Sequence, residues 1–186
     1  MMGKKKIVEY RRKREGRTNY GKRLKLLASN KLRLVIRKSL KNITSQLVEY
    51  DINGDRIVLG ASSKDLEKKF NWKFNRSNIP AAYLTGLLLG IKANKKGIKK
   101  AILDLGLNKS VKGGKVYALL KGALDAGLEI PHSKDMLPSD DIVKGGNIIK
   151  YFSLLKKDDI FFSNYKKSNL NISELPKIVE QIKKKF

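Results

Sequence analysis

The sequence contains no cysteine and a single histidine, His132. Without cysteine there are no disulfide staples and no cysteine-based zinc ribbon. One imidazole leaves almost no material for a transition-metal site. Long apolar runs are missing too. The longest, Ala81 to Ile91, falls well short of the roughly 20 residues a membrane helix needs. Its Gly86-Leu-Leu-Leu-Gly90 spacing reads as close packing of a soluble helix rather than membrane dimerisation. The opening MMGKKKIVEY carries lysines but no apolar stretch, which argues against a secretory leader. Acids are the last shortage: Asp and Glu number 17 against 42 Lys and Arg, a formal charge of +25. A compact body holding that charge repels itself and favours a polyanionic partner. The expectation is a cytosolic basic protein with no membrane partner, no metal, no cofactor and no small-molecule substrate.

The excess charge is uneven. Residues 1–41 hold 16 lysines and arginines against two acids, Glu9 and Glu15, which puts +14 of the +25 there. Within that stretch, EYRRKREGRTNYGKRLKLL runs from Glu9 to Leu27. Arg11, Arg12, Lys13, Arg14, Arg17, Lys22, Arg23 and Lys25 are spaced too irregularly for one helix face. They interleave with Tyr10 and Tyr20, while Thr18 and Asn19 can donate hydrogen bonds. Arginine offers a flat fork to phosphate oxygens, and tyrosine offers a ring to an unstacked base. A lysine tract alone would read as a solvated charge run; this mixture points to nucleic acid.

Three units follow along the chain. Residues 1–30 form a basic arm, extended through residue 17, with a short helix capped by Thr18 or Asn19, running to Ser29 and anchored by Leu24 and Leu27. Residues 31–130 read as an α/β core. Arg33–Ser39, Ile43–Tyr50 and Arg56–Ser62 are strands of an antiparallel meander, with Asn53-Gly54 as a tight hairpin signal. Ser62 or Ser63 caps a short helix, SKDLEKKF. Pro80 opens a longer one to about Asn94, with Ala81, Leu84, Leu87, Leu88 and Ile91 on a broad apolar face. Ala101–Leu105 is a nearly continuous apolar strand, read as buried on both faces, and Lys115–Ala126 is a helix closed by Gly127. A right-handed crossover makes the fourth strand parallel to its partner. The fold class is therefore α/β with a mixed sheet, of a kind that suits ribonuclease H-like folds. Residues 131–186 are a turn-rich, helical appendage. They contain a short helix over Ile148–Leu155 and a final one capped by Ser173, with Leu175, Ile178, Val179 and Ile182 as its stripe. One amphipathic helix cannot bury its stripe alone, so this element docks on something.

Other motifs carry less. Arg33, Arg37 and Lys38 make the first strand basic, either to meet RNA or as ordinary edge protection by charge. GLNKSVKGGK lies between a strand and a helix, but Lys109 stands where a phosphate loop needs its first glycine and Val116 replaces Ser/Thr. What survives is a loop, Lys112-Gly113-Gly114-Lys115, whose amides could approach an RNA phosphate or which is simply a flexible surface turn. DINGDR places Asp51, Asn53 and Asp55 together, yet Gly54 sits at the wrong calcium-loop position and Ser62 replaces the closing Glu. A metal-dependent nuclease on the same scaffold is the alternative function. It needs several carboxylates, and only Asp104 is in a plausible place.

Taken together, YRRKREGRTNYGKRLKLLASNKLRLVIRKS from Tyr10, VEYDINGD from Val48, IPAAYLTGLLLG from Ile79 and VYALLKGALDAGLEIPHS from Val116 resemble one known family. It is large-ribosomal-subunit protein number eighteen in its archaeal and eukaryotic form, and the resemblance spans about Tyr10 to Ile149. It implies a ribonuclease H-like core that binds 5S ribosomal RNA and fixes it to the large subunit. It also implies contacts with the large ribosomal RNA and neighbouring proteins of the central protuberance, in the cytoplasmic ribosome, without catalysis. Carried over residue by residue, RNA contact falls on Tyr10, Arg11, Arg12, Arg14, Arg17, Tyr20 and Arg23, then on Arg33, Arg37, Lys38 and the loop Lys112–Lys115. KGGNI at Lys144–Ile148 departs from the family, and the segment after Tyr151 aligns with no part of it.

Overall fold

Alternation in RLVIRK decides how the sheet faces. The computed structural model describes residues 7–155, 162, 163, 165, 168 and 170–186; Met1 to Lys6 of the expected arm lie outside that range. Strand β1 is Arg33–Lys38, β2 Ile43–Glu49, β3 Arg56–Ser62 and β4 Ile102–Asp104. The sheet order is β3-β2-β1-β4, with β1 antiparallel to β2 and parallel to β4. The architecture is α/β with a mixed sheet, as the meander and crossover predicted. On β1, Leu34 and Ile36 point into the main core with Ile43, Leu47 and Ala61, while Arg33, Val35 and Arg37 lie on the opposite face.

Two corrections concern the strands. The β2–β3 connection is a six-residue loop, one residue longer than expected because β2 ends at Glu49; Gly54 adopts φ +141° and its N–H bonds Asp51 O. An Asx turn, in which Asp51 Oδ1 accepts the Asn53 N–H at 3.1 Å, shapes that loop. Strand β4 is shorter than expected, and all three of its residues are half-buried; among the named strands it pairs with β1 alone, at the sheet edge, while just before it the Ala101 N–H donates to Glu129 O at 3.1 Å. The other edge, β3, is covered differently. Lys92 and Lys96 donate to the carbonyls of Gly60 and Val58 at 2.8 and 3.3 Å, occupying acceptors that an edge would offer another strand.

Helix α3 (Ser63–Phe70) begins at a capping box in which Ser62 accepts from Lys64 N–H and Asp65 accepts from Ser62 N–H. Helix α4 (Ile79–Lys95) is capped by Asn78, which accepts from Ala81 N–H at 2.9 Å, and has Pro80 in its first turn. It is buried on nearly every side, lying between the sheet, helix α5 (Lys115–Asp125) and a second core. The Gly86/Gly90 spacing serves the α4–α5 contact. A Cβ on Gly86 would lie 1.9 Å from Leu119 O, and one on Gly122 would lie 2.1 Å from Tyr83 O. Each helix therefore brings a glycine against the other's backbone.

The C-terminal segment supplies helices α6 (Asp140–Lys144), α7 (Gly146–Leu154) and α8 (Leu175–Lys184). Asn171, not Ser173, caps the 3-10 turn Ile172–Glu174 that leads into α8. The apolar stripe of α8 finds its partner within the chain. Leu175, Val179 and Ile182 are buried with Leu66, Trp72, Phe74, Tyr83 and Leu84. No described helix is long and apolar enough to cross a membrane.

Candidate nucleic-acid interface

The segment read as extended through residue 17 contains one helical turn among its described residues, and the short helix expected after it is present. Arg11–Arg14 make a single turn, α1, and Tyr20–Leu27 make α2, which Asn19 caps by accepting the Lys22 N–H at 3.0 Å. Local contacts explain the first turn. Arg11 pairs with Glu15 at 2.7 Å, Lys13 with Glu9, and Arg12 Nε donates to Thr18 Oγ1 at 2.9 Å. The Tyr10 and Tyr20 rings meet at 5.3 Å, and Arg17 shares Glu15 at 3.0 Å.

Of the two expected anchors of helix α2, Leu27 is half-buried and Leu24 is not. Tyr20, Arg23, Leu26 and Leu27 are half-buried, at helical spacing, whereas Gly21, Lys22, Leu24 and Lys25 are exposed. Leu24, expected as an anchor, is 71% exposed. The polar anchor is Arg23, whose two terminal nitrogens donate to the two oxygens of Asp55, each at 2.8 Å. Such a bidentate pair is worth more than an ordinary surface ion pair, because both donors are held in plane.

Asp55 also lies 2.8 Å from Arg33 Nη2, and Arg33 Nη1 donates to Asp104 Oδ2 at 3.1 Å. Arg33 is only 2% exposed, so its guanidinium is enclosed between two carboxylates drawn from a loop and from β4. The other Asp104 oxygen accepts the Gly106 N–H at 2.9 Å. The result is a chain of alternating charge, Arg23–Asp55–Arg33–Asp104, linking α2, the β2–β3 loop, β1 and β4. It leaves Arg33 no face toward a ligand, and each Asp104 oxygen accepts a hydrogen bond.

The pKa of Asp55 falls to about 2, first because Arg23 hydrogen-bonds its charged form and then because Arg33 lies beside it, against an opposing desolvation effect. A carboxyl depressed on folding stabilises the folded state above its unfolded pKa near ~3.9. That contribution disappears as pH falls from about 4 through about 2, and a shift of this size amounts to roughly 2 kcal/mol. Asp55→Asn is therefore expected to lose roughly 2 kcal/mol at pH 7 and to flatten the acid limb of stability. Urea unfolding across pH 2 to 7 measures both effects.

The remaining expected contacts fall into two places. Arg14 on the leader stands exposed with Lys22 and Lys25, and Arg37 and Lys38 stand exposed at the end of β1. None of these five has an ion-pair partner among the described residues. The glycine loop lies beyond the end of β1: Asn108 Nδ2 donates to Ile36 O at 3.2 Å, tying the preceding turn to that strand. Lys112 and Lys115 are exposed there. The Gly113 and Gly114 amides are already spent, donating to Met136 O and Val111 O at 3.0 Å each, so the loop's cations and not these amides are open to a phosphate.

A cleft elsewhere offers no comparable surplus. It is lined by Tyr83, Lys121, Asp125, Asp140, Lys144 and Glu180. Lys121 pairs with Asp140 at 2.6 Å, Lys144 pairs with Glu180 at 2.7 Å, and Tyr83 donates to Asp125 at 2.7 Å.

Sequence reasoning missed Asp55 as an organising residue, having considered it only for calcium. The signal was Arg33 itself, a charge inside the apolar run Leu32–Ile36, which a buried strand position tolerates only with a carboxylate partner.

Comparison with known proteins agrees with the resemblance in the sequence. A family model described as "Ribosomal large subunit proteins 60S L5, and 50S L18" matches residues 4–99 and 91–133. The chain is 47% identical over 182 residues to the large ribosomal subunit protein uL18 of Aeropyrum pernix, covering 95% of this chain and 85% of that one. It is also 47% identical over 183 residues to uL18 of Methanococcus maripaludis, covering 96% of this chain and 94% of that one.

Proposed function

The chain belongs to the family of ribosomal large subunit proteins described as 60S L5 and 50S L18, and from that premise we propose that it binds 5S ribosomal RNA. In the same reading it anchors that RNA to the large-subunit ribosomal RNA in the central protuberance, beside neighbouring ribosomal proteins. It is a structural constituent of the large ribosomal subunit, not an enzyme, and its place is the cytoplasmic ribosome.

One observation carries the RNA reading: how the charges are partitioned. Glu9 and Glu15 are held by Lys13, Arg11 and Arg17, and Asp55 and Asp104 by Arg23 and Arg33. Arg14, Lys22, Lys25, Arg37 and Lys38 remain exposed to meet phosphates. Tyr10 stays 73% exposed against the half-buried Tyr20, so one face of that ring is available to an unstacked base. Arg11, Arg12 and Arg17 are held by light local contacts at the surface, which RNA phosphates can replace at small cost. Arg33 stays out of the contact set, and Arg23 acts through its hold on Asp55. For the nuclease alternative, which needs several carboxylates, the one candidate ligand Asp104 is hydrogen-bonded to Arg33 and to the Gly106 N–H.

The test is binding of the full-length chain to 5S ribosomal RNA in the presence of excess transfer RNA. Retention of the complex under that competition is expected. Full displacement by transfer RNA would reduce the protein to a general RNA binder.

A further inference from the structure

We propose that Asp55 is a positioning residue for RNA binding: it touches no RNA, and it sets the leader helix against the sheet so that its exposed cations Lys22 and Lys25 are held in one orientation. This rests on the RNA-binding reading above and adds to it the device that orients the surface.

The geometry supports a positioning role in four ways. Helix α2 buries no residue fully. Among the described residues its only side-chain polar link to the rest of the fold is Arg23 to Asp55. Asp55 is itself fixed from behind by Arg33, which is enclosed in the sheet and held a second time by Asp104. Finally, the half-buried face Tyr20–Arg23–Leu26/Leu27 turns Lys22 and Lys25 outward. Cutting the link at Asp55 leaves an eight-residue helix with marginal stability of its own. Its cations would then be spread over many orientations, and the ordering cost would fall on the binding step.

Electrostatics makes the test sharp, because the two roles predict opposite signs. An acid that is a mere bystander near a polyanion strengthens binding when removed. A positioning acid weakens it. For Asp55→Asn we expect affinity for 5S ribosomal RNA to fall about tenfold, with the slope of log affinity against log salt unchanged, because no phosphate contact is lost. Amide hydrogen exchange over residues 20–27 of the free protein should quicken in the same variant. Asp55→Glu, which keeps the charge, should recover part of the affinity. Arg23→Gln serves as the second variant, since it cuts the link while leaving Arg33 its two carboxylates. It should weaken binding with the slope again unchanged.

Equal or tighter RNA binding by Asp55→Asn overturns the proposal. A slope shallower by about one for Arg23→Gln also overturns it, since that loss marks a direct phosphate contact. If Asp55→Asn does not fold, the Arg23→Gln slope decides alone. If the unmodified chain fails to bind 5S ribosomal RNA, the functional reading falls first, and that outcome is recognised before any variant is compared.

Discussion

Gly86→Ala is expected to destabilise the fold by about 3 kcal/mol or more, enough to leave little native protein. Overpacking a core typically costs ~1–3 kcal/mol, when flexible side chains can move aside. Here the added methyl would lie 1.9 Å from a carbonyl oxygen and 2.8 Å from its carbon, both in the backbone of α5. Relief requires the two helices to separate, and they form the layer on which the sheet rests. Gly122 meets α4 in the same way, with Tyr83 O and Leu87 N at 2.1 and 2.8 Å from a built Cβ. Gly21→Ala is the control: its nearest neighbour would be Asn19 Oδ1 at 3.5 Å, in ordinary contact. In a helix it should be neutral or stabilising by up to ~1 kcal/mol. Urea midpoints compare the two, and equal stability of Gly86→Ala with the parent would contradict the packing account.

The second large effect concerns RNA. Replacing Arg14, Lys22, Lys25, Arg37 and Lys38 together by alanine should weaken binding to 5S ribosomal RNA by ~10²- to 10³-fold at physiological salt. It should also make the salt slope shallower by roughly 3.5 to 4.5, counting ~0.7–0.9 per phosphate released. The fold should be little changed, because all five side chains are exposed. A matched set of five exposed lysines away from this surface, Lys64, Lys68, Lys73, Lys95 and Lys99, should change the slope much less. Equal losses in both sets would mean that net charge alone governs binding.

These two predictions draw on parts of the sequence that differ in how openly they announce structure. Gly86 and Gly90 are four residues apart within an apolar helix, a local pattern with one common cause, and the close approach was legible from it. The three-strand meander and the parallel fourth strand were legible for the same reason, since apolar period and turn residues are local. What depended on distant partners was not. Leu24 and Leu27 have a plausible anchoring interval, yet α2 rotates to place Arg23 on Asp55, and that choice is decided 32 residues away. Ala101–Leu105 looks buried on both faces because its composition is apolar, yet only Ala101 is fully buried and residues 102–105 are half-buried, which composition does not reveal.

The candidate interface shows the same division. Its electrostatic character was plain from the sequence, whereas the division of labour among its arginines was not. Arg33 and Arg37 lie on the same strand and the same sheet face, two steps apart with Val35 between them. One is enclosed by two carboxylates and the other is solvated. Only the placement of Asp55 and Asp104 separates them. The last helix was correctly read as needing a partner, and the partner is the chain's own Trp72 and Leu84 surface, assembled from residues about 100 positions earlier.

The most direct measurement is the salt dependence of 5S ribosomal RNA binding by the unaltered chain. If the exposed cations of the leader and β1 neutralise between five and ten phosphates, log affinity against log salt concentration should be linear with a slope of roughly −4 to −9. A slope near zero, with affinity intact, would contradict an interface built on released counterions.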